Sequence, residues 1–142
     1  VTRIDFYSNA EPKLQVACRL VAKVIQQQLR VVVYAPDENT AKEFEKLLRP
    51  YQTVGFAPHF TAHHAISSET PVVIACEDAE MAHYQVILNL HADSPPSFSR
   101  FERLVELVGT GDDDRQLARS RFRFYRDRGY EIKHYDLSKS SA

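Results

Sequence analysis

Residues 31–37 read Val31-Val32-Val33-Tyr34-Ala35-Pro36-Asp37. Three β-branched residues and an aromatic follow one another with no polar face. A strand that is apolar on both faces belongs in the middle of a parallel sheet, with helices above and below it. Ala35-Pro36-Asp37 ends the strand. On the C-terminal side, Thr40-Ala41-Lys42-Glu43 has the form of a capping box. Ala41, Phe44, Leu47 and Leu48 then give a helix its inner face. On the N-terminal side, Leu14, Ala17, Cys18, Val21, Val24 and Ile25 recur at helical spacing and mark another buried face. The turn Asn9-Ala10-Glu11-Pro12 leads into that helix, and proline is tolerated in a first turn. Before it, Arg3 to Tyr7 predicts a short strand with Ile4 and Phe6 on one side.

Further along, Arg49 to Thr70 has little periodicity. A loop of that length is uncommon in a compact domain unless it is functional. Its apolar cluster, Phe56-Ala57-Pro58-His59-Phe60, has two readings: it tucks onto the core, or it docks a protein partner. Pro71 to Ala75 and Tyr84 to Leu90 are strand candidates. Asp93-Ser94-Pro95-Pro96-Ser97 is a rigid turn. Ser99-Arg100-Phe101-Glu102 offers another capping box, followed by Leu104, Val105, Leu107 and Val108 on a third helix. Gly109-Thr110-Gly111 breaks that helix. A last strand is expected near Tyr130 to Asp136. Strands alternating with helices predict a three-layer α/β domain with a mainly parallel sheet over residues 1–137, and a frayed tail over 138–142.

The most distinctive segment follows the glycines. Asp112-Asp113-Asp114 suits a helix start, where negative charge meets the positive end of the dipole and any of the three acids can cap. Gly129 suits the left-handed position that closes a helix. Between them Arg115, Arg119, Arg123 and Arg126 fall in one stripe at 3.6 residues per turn. Phe122 borders the stripe. Leu117, Ala118, Phe124 and Tyr125 lie on the opposite and flanking faces and can pack inward. Arg121 and Arg128 interrupt that face and must snorkel or find partners. From Arg115 to Lys133 there are seven basic residues and two acids, whereas the whole chain has a net charge of -1. The positive charge is therefore local and suits an acidic ligand. The alternative is that the stripe is simply a solvated helix face. No acids are interleaved for i, i+4 pairing, so like charges repel along it.

Composition narrows the classes. The chain has 142 residues, 44% of them hydrophobic and 26% charged, as in a soluble globular domain. No apolar run approaches a membrane span. The N-terminus lacks the pattern of a signal peptide, so a cytoplasmic location is expected. Cys18 and Cys76, far apart, read as free thiols in a reducing compartment. The four glycines form neither a P-loop nor a dinucleotide fingerprint, which argues against a nucleotide-binding enzyme. His59, His63 and His64 lack a cysteine partner and read as loop residues rather than metal ligands. Cys76 has no recognisable base beside it. No cofactor, metal or catalytic residue is expected. Direct single-strand nucleic-acid binding is the main rival for the arginines, since arginine with aromatic neighbours serves that purpose. The slightly negative net charge argues against it, because nucleic-acid domains tend to be broadly basic.

These residues resemble the chi subunit of bacterial DNA polymerase III holoenzyme, a clamp-loader accessory. The resemblance runs over nearly the whole chain. It is carried by Ile4-Asp5-Phe6-Tyr7, by Val31 to Leu48, and by Phe56-Ala57-Pro58-His59. It is carried most by Gln116-Leu117-Ala118-Arg119 with Phe122, Tyr125-Arg126 and Gly129-Tyr130 after it. The resemblance implies a nonenzymatic adaptor with a Rossmann-like fold. It implies binding to the acidic, Phe-ended C-terminal tail of single-stranded DNA-binding protein, and pairing with the psi subunit. Arg119 would be the main tail-binding arginine. Arg115, Arg123 and Arg126 would add charge, and Val108, Leu117 and Phe122 would shape an apolar pocket. Psi would dock near Leu48, Phe56 and Pro58. Little or no direct nucleic-acid binding is implied.

Overall fold

A computed structural model describes residues 2–51, 60–61, 71–77 and 83–139. Chain order is β1 (Arg3–Ser8), α1 (Lys13–Gln26), β2 (Val31–Tyr34), α2 (Glu38–Leu48), β3 (Phe60–Thr61), β4 (Val72–Ala75), β5 (Val86–Asn89), β6 (Arg103–Leu107), α3 (Asp112–Asp127) and β7 (Ile132–Asp136). Short 3-10 turns cover Arg49–Tyr51, Phe98–Arg100 and Leu137–Lys139. The seven described strands form one sheet in the order β3-β4-β2-β5-β6-β1-β7. Every neighbouring pair is parallel.

The apolar run at β2 has the central place its composition demands. Val31 and Val33 point into one core with α1 and α2, and Val32 and Tyr34 point into a second core with α3. Crossover handedness explains the layers. The connections β1-α1-β2 and β2-α2-β3 run one way across the sheet, and β6-α3-β7 runs the other. Right-handed crossovers in opposite directions must put their helices on opposite faces. The result is a three-layer, Rossmann-like α/β domain.

Several expectations need correction. Leu104, Val105, Leu107 and Val108 are not on a helix. Residues 103–107 form β6, paired with β5 and β1. Leu104, Val105, Glu106 and Leu107 are all buried, and a strand buried on both faces reads like a buried helix segment. Ser99 lies in a 3-10 turn rather than a cap. Thr40 is not the cap of α2. Asp37 is, and its side chain accepts from the Thr40 amide at 2.7 Å. The loop from Arg49 is interrupted by β3, whose Phe60 and Thr61 pair with Val73 and Ile74. Ser138 and Lys139, placed by the sequence in the tail, belong to the last 3-10 turn. The Ser138 amide and hydroxyl both donate to Asp136 Oδ1, at 3.0 and 2.6 Å.

Leu48 is the correction with functional weight. It has no exposed surface and packs in the core beneath α1 and α2. It holds α2 in place, and its side chain is covered. Phe56, Pro58, His59, His63 and His64 lie outside the described residues.

Candidate functional site

The site is set by where α1 and α3 depart. β1 and β6 are neighbours, yet the helix after β1 covers one face and the helix after β6 covers the other. In open parallel sheets a crevice opens at the carboxyl ends of such strands, and ligands bind there. A cavity of about 480 Å³ occupies this position. Its walls include Phe6, Ser8 and Asn9 at the end of β1, and Val108 and Gly109 after β6. Arg115, Ala118, Arg119 and Phe122 of α3, with His134 of β7, complete it. Phe122 packs edge-on against Phe6, with ring centroids 5.5 Å apart. The His134 Nε2 and Ser8 Oγ atoms share a hydrogen bond of 2.7 Å.

The start of α3 is acidic, unlike a phosphate-binding helix N-terminus. Gly111 occupies the cap position and no side chain caps the helix, contrary to the reading of Asp112, Asp113 or Asp114 as the cap. Asp114 reaches back to accept from the Gly109 amide at 2.6 Å, and it pairs with Lys13 of α1 at 3.1 Å. A Cβ on Gly109 would stand 3.1 Å from Asp114 Oδ2, so glycine permits the close approach. Three acids at the helix start repel a phosphate, and one of them has taken the turn amide. Burial pushes the Asp114 carboxyl up, but the Gly109 amide and Lys13 outweigh it and hold the group below its usual range. Because the folded value is depressed, the stability gained is complete above the unfolded value of about 3.9 and is lost as pH falls through the folded value. Asp114→Asn is expected to cost about 1 kcal/mol at neutral pH. In urea unfolding across pH, the gap between wild type and variant should close below about pH 4.

The far end of α3 closes as its glycine requires. Gly129 has φ 84. Its amide donates to Arg126 O at 2.9 Å, and the Tyr130 amide donates to Tyr125 O at 3.2 Å. These bonds satisfy carbonyls that would otherwise lack partners.

Between its ends, α3 is fixed by buried chemistry. Arg121 finds the partner its inward position demands. Its Nε donates to Glu106 Oε1 at 3.0 Å and its Nη1 donates to Ala92 O at 2.7 Å. The Tyr125 hydroxyl donates to Glu106 Oε2 at 2.6 Å, and Asn89 Nδ2 reaches both carboxylate oxygens at 3.1 Å. Burial holds the Glu106 carboxyl above its usual range, against the opposing pull of Arg121, Tyr125 and Asn89. Donors converge on both oxygens, which is the geometry of a carboxylate. Arg128 instead lies over the Phe124 ring, 3.6 Å from its centroid.

The arginine stripe divides along its length. Arg115 and Arg119 line the cavity. Arg115 Nη2 donates to Asn9 Oδ1 at 3.2 Å. Arg119 and Arg123 have no hydrogen-bond or ion-pair partner among the described residues. Arg123 continues the stripe beyond the cavity, and Arg126 pairs with exposed Asp127 at 3.1 Å. Val108 and Phe122 line the cavity. Leu117 does not. It is 41% exposed and faces a separate cavity of about 350 Å³ with Ala92, Ser94 and Phe124. Ala118, Arg121 and Tyr125 fix the inward face of α3. At about 100° per residue Leu117 stands roughly opposite Arg119.

A basic mouth thus stands over an apolar hollow. A model described as DNA polymerase III chi subunit, HolC, matches residues 1–133. The chain belongs to the DNA polymerase III chi subunit family. It is similar to DNA polymerase III subunit chi of Pseudomonas aeruginosa, with 34% identity over 98% of this chain and 99% of the relative. It is also similar to DNA polymerase III subunit chi of Escherichia coli, with 26% identity over 92% of this chain and 88% of the relative.

Sequence reasoning missed Phe6, Ser8, Asn9, Gly109, Ala118 and His134. The alternation of β1 was visible, but the side on which α3 would lie was not. His134 stands opposite Phe6 in the register of β1 and β7, which only the pairing reveals. Among the described residues, no group of three or more His, Cys, Asp or Glu is placed to hold a metal. Burial pushes the Cys18 thiol up to about 12. Burial together with Glu38, Asp37 and Glu77 raises the Cys76 thiol. Neither thiol favours the nucleophilic thiolate form. No described helix is long and apolar enough to cross a membrane.

Proposed function

We propose that this chain is a nonenzymatic replication adaptor, working in the cytoplasm. It captures the acidic, Phe-ended C-terminal tail of single-stranded DNA-binding protein and joins it, through the psi subunit, to the polymerase III clamp loader. The observation that supports this reading is Arg119, an arginine without a partner among the described residues at the mouth of a largely apolar cavity. A terminal Phe supplies a ring for the hollow lined by Phe6, Val108, Ala118 and Phe122. Its carboxylate accepts two parallel bonds from an arginine fork. Upstream acids of the tail meet Arg123 and Arg126, away from the repelling Asp112–Asp114 end. Capture of a C-terminal carboxylate is a recurrent recognition mode.

Single-stranded DNA-binding protein should bind this chain when intact and fail to bind when its last residues are removed. Undiminished binding by the truncated form rejects the reading. Tight binding of a bare oligonucleotide, with no partner present, favours a direct single-strand binding module instead.

The psi contact is assigned to the segment holding Phe56 and Pro58, because Leu48 is buried. Phe56→Ala is expected to weaken psi binding at least tenfold, on the order of one central interface aromatic, and to leave tail binding intact. Equal loss of both, or unfolding, returns Phe56 to the core.

A further inference from the structure

Asn9 is a polar side chain that ties two walls of the α3 cavity together. It follows β1 with φ 57, a left-handed conformation that Asn adopts more readily than most residues. Its Oδ1 accepts from Arg115 Nη2 at 3.2 Å, and its Nδ2 donates to Asp136 Oδ1 at 2.7 Å. The amide can face only one way, since a guanidinium only donates and a carboxylate only accepts. Arg115 stands on α3, and Asp136 ends β7. Asp136 is itself held by the amide and hydroxyl of Ser138. The side chain of residue 9 thus links β7 to α3 across the end of β1.

We propose that Asn9 is a positioning residue: a neutral clamp that presents the Arg115 guanidinium to a carboxylate ligand without neutralising it. The role rests on the tail-binding reading above. Neutrality is the point of the chemistry. An aspartate here would hold Arg115 more tightly but would cancel the charge the site needs, and it would repel Asp136. A long side chain left free would lose rotamer entropy on binding, which a clamp has already removed.

The test is a double-mutant cycle with a synthetic acidic peptide that ends in Phe with a free carboxylate. Asn9→Gly keeps the left-handed backbone and removes the clamp. It is expected to weaken peptide binding about threefold to tenfold in the wild-type background, and to add no loss in Arg115→Ala. Asn9→Asp, similar in shape and also tolerant of positive φ, is expected to weaken binding further than Asn9→Gly. Equal losses in both backgrounds, or wild-type affinity in Asn9→Asp, overturn the proposal. A second reading needs no peptide. In nitrogen-15 NMR of the free protein, rotation of the Arg115 guanidinium should be slow in wild type and faster in Asn9→Gly. Equal rotation in the two proteins overturns the clamp. If wild type binds no peptide, the tail-binding reading falls and the NMR comparison alone decides the clamp.

Discussion

Arg119→Ala should lose about tenfold to over a hundredfold in affinity for the acidic tail, the equivalent of roughly 1.5–3 kcal/mol for one charge-assisted contact. The side chain is exposed and has no partner among the described residues, so its removal should leave the unfolding midpoint nearly unchanged. Arg119→Lys should recover only part of the affinity, because a point charge cannot replace a planar fork. Raising salt should weaken wild-type binding, while a residual affinity from the terminal Phe in its hollow survives screening. Tail-peptide titrations of the three proteins at two salt concentrations check this. Wild-type affinity in a folded Arg119→Ala would place the ligand elsewhere on the domain.

Glu106→Gln should destabilise the domain by about 3–5 kcal/mol. The variant keeps the shape of the side chain but leaves Arg121, 3% exposed, without its counter-charge. Such a loss is a large fraction of the roughly 5–15 kcal/mol that holds a domain together. Removing both charges should be far milder. Glu106→Gln with Arg121→Met is expected to recover most of the loss, because an uncharged pair of similar volume avoids burying a lone ion. Urea unfolding of the two single variants and the double variant checks this. Equal stability of Glu106→Gln and wild type would mean that the ion pair does not fix α3 to the sheet.

The legible parts of this chain were those in which local pattern and tertiary environment agree. Val31 to Tyr34 could only be a central strand, and it is one. The basic helix was bounded correctly because Gly129 has a single good use at its end. Residues 103–107 show the opposite case. Burial on both faces erased the strand period, and the segment read as helix. That error hid the switch point, since the relation of β6 to β1 is what creates the crevice. The α3 wall of the cavity was therefore legible, and most of its sheet wall was not. Arg115, Arg119 and Phe122 followed from helical spacing, while Phe6, Asn9 and His134 needed the strand register. Leu117 turns to a separate cavity, because membership of a helix does not say which flank faces which hollow. Leu48 is buried, because an inner-face residue at a helix end can be wholly covered.

The measurement that bears most directly on the central claim is a nitrogen-15 NMR titration of the whole chain with the acidic, Phe-ended tail peptide. The account predicts the largest amide shifts at Asn9, Val108, Gly109, Ala118, Arg119 and Phe122, around the cavity of about 480 Å³. Residues around the separate cavity beside Leu117 and Phe124 should stay still. Replacing the terminal Phe of the peptide by Ala should remove most of the effect. Shifts centred away from the mouth of α3, or none at saturating peptide, would contradict the account.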